Sequence, residues 1–144
     1  MKISPRRRSR EFAVQALYQA AINDTAAPEI AANIRESRNF HQADDELFTQ
    51  IFFGANAKRE QYAELIRPLT DRDIRLINPI EKSVLLMAAY ELQEMPQTPY
   101  PVIINEAIEV TKTFGGTESH RFVNGILDKL AAKLRPHEGK RQAH

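Results

Sequence analysis

The stretch Asn78-Pro79-Ile80-Glu81-Lys82-Ser83-Val84-Leu85-Leu86-Met87-Ala88-Ala89-Tyr90 decides the fold. Asparagine offers a side-chain oxygen to orphan amides, and proline at the first helical position gives up no hydrogen bond. An acid three residues past the cap makes the pattern resemble a capping box, so a helix begins at Pro79. From Val84 to Tyr90 that helix is apolar on nearly every side, which a surface helix would not tolerate. It is therefore read as the central element, with other helices wrapped around it.

Working outward toward the C-terminus, Met95-Pro96 and Thr98-Pro99-Tyr100-Pro101 end this helix and start another. The next helix carries Val102, Ile103, Ala107, Ile108, Val110 and Thr111 at helical spacing and is expected to stop at Gly115-Gly116, where glycine can take a positive φ. A last helix reads Phe122, Val123, Ile126, Leu127, Leu130, Ala131 and Leu134 before Pro136. The domain is set at residues 1–136, and the polar residues 137–144 are expected to form a disordered tail.

Toward the N-terminus, Ser4-Pro5 supplies a cap and a first-position proline, so the arginines that follow belong to a helix. Phe12, Ala13, Ala16, Leu17, Ala20 and Ala21 form its stripe, widened by Val14 and Tyr18, until Asn23-Asp24 and Pro28 break it. A short, weakly periodic segment covers Ile30 to Ile34. Asp44-Asp45-Glu46 suits the positive end of a helix carrying Leu47, Phe48, Ile51, Phe52 and Ala55. Tyr62, Leu65, Ile66 and Leu69 continue beyond it, with Gly54 as the expected bend and a turn near Thr70 to Asp73. No run alternates with a period of two, so the fold class is all-α, about seven helices in a bundle.

With 144 residues and 42% hydrophobic content, one domain with a real core is expected. The absence of cysteine removes disulfides and thiolate metal sites and suits a cytoplasmic location. The start lacks the apolar core of an export signal, and no apolar run is long enough to span a membrane. The net charge of +1 hides an asymmetry, because Lys2, Arg6, Arg7, Arg8 and Arg10 crowd the first ten residues, which hold no acid. Cations there oppose the helix macrodipole at about 0.3–1 kcal/mol each when exposed, which invites a functional reason for them. Arginine forks suit phosphate and their planes suit bases, so the cluster is read as an RNA footprint rather than a merely solvated helix start.

Catalysis finds no support. His120 lies beside Glu118 and Ser119, but consecutive helical residues point in different directions and a polar first turn explains them. The acids at 44–46 lack the alternation and central glycine of a calcium loop. No zinc-protease, phosphate-loop or dinucleotide motif is present, so neither enzyme activity, metal nor cofactor is expected.

The stretch Arg6-Arg7-Arg8-Ser9-Arg10-Glu11-Phe12-Ala13-Val14-Gln15-Ala16-Leu17-Tyr18 resembles the opening helix of the NusB family of antitermination factors. Val102-Ile103-Ile104-Asn105-Glu106-Ala107-Ile108-Glu109, with Lys112 and Phe114-Gly115, resembles that family's sixth helix. Ser119-His120-Arg121-Phe122-Val123-Asn124-Gly125-Ile126-Leu127-Asp128 resembles its last, and Glu81-Lys82 with Ala89-Tyr90-Glu91-Leu92 resembles the helix between. The likeness runs in order from about residue 6 to Pro136; Ser9 stands where the family often has a small apolar residue, and residues 24–43 match poorly.

The resemblance implies two small helical bundles sharing the first helix. It also implies binding of boxA RNA in nascent transcripts, notably ribosomal RNA leaders, jointly with NusE, a protein of the small ribosomal subunit. That assembly helps RNA polymerase pass terminators. A related domain precedes some ribosomal RNA cytosine methyltransferases, an activity this chain is expected to lack. Carried over by position, the RNA surface would hold Arg6, Arg7, Arg10, Glu118, His120, Arg121, Phe122 and Asn124, with Phe122 as the stacking residue. Phe122 also fits the apolar stripe of its own helix, so a core role stays open. Tyr18, Ile80, Glu81 and Val84 would lie at the NusE contact. The rival reading is a helical protein-binding scaffold without specific RNA recognition.

Overall fold

The computed structural model describes residues 3–138; these contain seven α-helices, three 3-10 turns, further helical residues at 136–138 and no strand. Helix α1 spans Pro5–Ile22, α2 Ala27–Arg35, α3 Asp45–Ala57, α4 Arg59–Ile66, α5 Pro79–Glu94, α6 Tyr100–Phe114 and α7 Thr117–Leu134. Residues 139–144, most of the expected tail, lie outside the described residues.

The caps read from the sequence form. Ser4 accepts from the Arg7 N–H at 3.1 Å, Asp44 from the Leu47 N–H at 3.1 Å, and Asn78 from the Ile80 N–H at 2.8 Å. Each satisfies an amide that the first helical turn leaves without a partner.

Helix α5 is the centre. Every residue from Val84 to Tyr90 is buried, because α1, α3, α6 and α7 surround it. Helix α1 packs on α2 and α3 on one side and on α5 and α6 on the other, so it belongs to both halves of the molecule. In the first half, Phe12, Phe40, Phe48 and Phe52 form a chain of rings with successive centroids 5.1–5.9 Å apart. Tilted and edge-on contacts at that spacing suit the ring quadrupoles.

Two expectations about glycine change. Gly54 does not bend the chain: α3 runs through it to Ala57, and the break falls at Lys58. Its lack of a Cβ serves packing, since a Cβ there would overlap the ring of the buried Tyr90 on α5. The stop at Gly115-Gly116 needs no left-handed residue either, because Gly115 is at φ −116° and Gly116 at φ −82°. Glu138, assigned to the tail, accepts the Tyr100 N–H at 2.7 Å and an Arg135 N–H at 2.7 Å, so ordered structure passes Pro136. No described helix is long and apolar enough to cross a membrane.

Candidate nucleic-acid interface

The arginines of α1 point in several directions, as 100° per residue requires, and they meet different fates. Arg6 is 52% exposed and makes a long 3.8 Å contact with Asp44. Arg7, 31% exposed, grips Glu106 of α6 through Nε at 3.1 Å and Nη2 at 2.7 Å. Arg10 is 3% exposed and lies in the interior, where it donates to Glu91 of α5 at 2.7–3.1 Å and reaches Glu106 at 3.4 Å. The expectation that Arg10 contacts RNA is therefore corrected: its guanidinium is consumed by a buried carboxylate that sequence distance hid.

This ion-pair cluster changes the electrostatic argument for α1. Glu106 and Glu91 neutralise two of the cations that oppose the helix dipole, so those two have a structural reason to be there. Hydrogen bonding from Arg7, reinforced by the charges of Arg7, Arg10 and Arg6 and partly opposed by burial, holds the Glu106 carboxyl below its usual range. The same hydrogen bond raises the Arg7 guanidinium. Burial pulls Arg10 down, but its bond and charge interactions with Glu91, together with Glu106, leave it raised.

A depressed carboxyl contributes stability that is whole above its unfolded value and fades as pH falls through the folded one. Glu106→Gln thus lowers Tm at neutral pH and flattens the fall in Tm below the ordinary value of 4.5. Melting curves between roughly pH 3 and pH 7 check this; an unchanged acid slope would remove Glu106 from the account.

On α7, Glu118 and Arg121 are exposed and only 3.8 Å apart, a loose surface pair of little energetic weight. His120 is half-buried and lines a cleft of about 230 Å³ with Lys112, Gly115 and Gly116. Asn124 is half-buried. Phe122 is half-buried against the core, and it also lines an open cleft of about 240 Å³ with Leu69, Thr70, Arg121, Ile126 and Lys129. The Arg72 guanidinium stands over its ring at 3.7 Å from the centroid.

Helix α6 links α1 to the start of α7. Its Glu106 holds Arg7, its Thr113 hydroxyl donates to Glu11 of α1 at 3.2 Å, and its end at Gly115 leads into α7. Among the residues carried over for the partner, Tyr18 and Ile80 are half-exposed. Val84 is fully buried, which corrects its assignment to a contact surface: it faces the interior of the helix that the apolar run places at the centre. Glu81 is also buried, its carboxylate screened by Arg72 at 3.4 Å.

Arg72 and Glu106 are the residues that sequence reading missed. Arg72 is one arginine in a polar turn with no periodicity to single it out, and Glu106 pairs with residues 96 and 99 positions away. Among the described residues no group of His, Asp and Glu could hold a metal.

Fold and surface together define a class: an all-α protein with exposed cations on its first and last helices and, on the last, a half-buried aromatic ring at a cleft. Residues 7–132 match the NusB family, and the chain belongs to it. It is 66% identical over 137 residues to the transcription antitermination protein NusB of Neisseria gonorrhoeae strain NCCP11945, covering 95% of this chain and 97% of that one. The Chromobacterium violaceum protein of the same name is 51% identical over 134 residues, covering 92% and 90%. A solved structure of T. maritima NusB superposes with a TM-score of 0.82 at 29% identity, covering 97% of this chain and 99% of that one. This is a family of transcription antitermination factors and not of enzymes.

Proposed function

We propose that this protein binds boxA RNA of nascent transcripts, notably ribosomal RNA leaders, cooperatively with NusE, and so helps RNA polymerase read through terminators in the bacterial cytoplasm. The observation that carries the reading is the half-exposed Phe122 ring at a cleft bordered by Arg121 and Lys129. An aromatic face accepts an unstacked base of any sequence, and neighbouring cations hold the phosphates on either side. Arg6, and the exposed part of Arg7, add charge from α1, while Glu118, His120 and Asn124 supply polar groups near the start of α7. Tyr18 and Ile80 are the accessible residues for NusE.

Titration of labelled boxA RNA with and without NusE tests this. RNA affinity rises when NusE is present, and NusE affinity rises by the same factor when RNA is present. Equal RNA affinity in both arms, or NusE binding with no RNA binding at all, would leave a protein-binding scaffold.

Arg6→Ala flattens the log-log salt dependence by roughly 0.7 for each phosphate that the side chain had neutralised. Because Arg6 makes a long contact with an exposed carboxylate, its removal leaves Tm unchanged. Arg7→Ala weakens RNA binding and lowers Tm together, since it also strips the bidentate partner from Glu106. An unaltered salt slope in Arg6→Ala would take α1 out of the RNA surface.

A further inference from the structure

Arg72 stands between the two surfaces that the proposed function needs. It lies outside every helix, in the turn where its own N–H donates to Thr70 Oγ1 at 3.1 Å. Its guanidinium carbon is 3.7 Å from the Phe122 ring centroid, and its Nη1 is 3.4 Å from Oε1 of Glu81. Arg72 is 52% exposed whereas the Glu81 side chain is 8% exposed, so the arginine is the outer member of the pair. One flat cation thus covers a face of the candidate stacking ring and pairs with the candidate partner carboxylate.

A base stacking on that face of Phe122 must take the place of the guanidinium. A cationic group of a protein partner pairing with Oε1 of Glu81 competes with the same guanidinium. We propose that Arg72 is a lid shared by the RNA site and the partner site, so that whichever ligand moves it clears the way for the other; this rests on the RNA and partner reading above.

The free energy of moving the lid falls on the first ligand, and the second binds without it. That difference is a positive linkage, equal in both directions. The two-state element is one side chain on a turn, and both sites bias it directly. Buried Ile74 and the hydrogen bond to Thr70 anchor the backbone on either side of it, so the side chain swings without disturbing the core.

The test compares wild type with Arg72→Ala, titrating labelled boxA RNA with and without saturating NusE. The quantity read is the ratio of the two dissociation constants. In Arg72→Ala that ratio falls roughly fivefold, the scale set by one half-exposed cation–π contact together with one screened ion pair. If Arg72 is instead a phosphate contact, both constants weaken equally and the ratio holds, which overturns the lid.

A ligand-free readout separates this from the functional reading. In wild type the Arg72 Nε–H resonance is displaced by the Phe122 ring current, and it returns toward the ordinary arginine position in Phe122→Leu and Glu81→Gln. An ordinary position in wild type overturns the lid even where RNA binds. Failure of wild type to bind the RNA overturns the functional reading, while the resonance still reports whether Arg72 covers the ring.

Discussion

Glu91→Ala lowers the unfolding free energy by about 3–5 kcal/mol, because it leaves a guanidinium inside the protein without its closest carboxylate. Arg10 is 3% exposed and Glu91 1%, and three donor–acceptor contacts of 2.7–3.1 Å join them. Glu106, at 3.4 Å and already gripped by Arg7, leaves Arg10 only a longer, shared carboxylate. The charge that remains must draw in water or push its neighbours apart. Replacing both members, as Arg10→Met with Glu91→Leu, removes the buried charges together and recovers much of the stability. Denaturant titrations of the two single variants and the double variant measure this. A double variant no more stable than the singles would show that the pair does more than neutralise itself. The double variant also separates roles: with Arg10 structural, its RNA affinity stays close to wild type, whereas a tenfold drop in a folded protein would return Arg10 to the RNA surface.

Arg135→Ala is expected to cost about 3 kcal/mol, the next largest effect, since hydrogen bonds from charged donors contribute about 1.5–3 kcal/mol each and several go at once. Its Nε donates to the Leu92 carbonyl at 2.8 Å, Nη1 to the Thr98 carbonyl at 2.7 Å, and Nη2 to the carbonyls of Met95 at 2.9 Å and Glu91 at 3.2 Å. These carbonyls lie at and beyond the C-terminal end of α5, where a helix runs out of internal donors and carries partial negative charge. One residue past α7 thereby ties the last helix to the end of the central one. Arg135→Lys restores only part of the stability, because an ammonium cannot serve these acceptors with a planar fork. Thermal and denaturant unfolding of both variants decide the matter, and a change below about 1 kcal/mol in Arg135→Ala would mean that water replaces the fork.

Legibility followed the range of the interaction. Ser4, Asp44 and Asn78 were readable as caps because a cap bonds to amides two or three residues ahead. The central place of α5 was readable because seven consecutive apolar residues leave no face for water. Gly54 misled, since a glycine that admits a neighbouring ring and a glycine that bends a chain look the same in one dimension. At the candidate site, Arg6 is exposed and Phe122 lines a cleft, whereas Arg10, Glu81 and Val84 are buried. Arg72, which sits on both Phe122 and Glu81, carried no signal at all, because a turn has no periodicity from which to read direction.

The order of residues by itself determined the helices, their beginnings and the identity of the buried stripe, because helix geometry and capping act within one or two turns. Which arginine faces water and which faces a carboxylate was decided only by tertiary structure. Arg6, Arg7 and Arg10 are chemically alike, and Arg7 and Arg10 differ from Arg6 in the carboxylates that α5 and α6 bring to them from more than 80 residues away. Packing of distant helices, rather than anything in the first ten residues, left some of those cations to the solvent and sealed one inside.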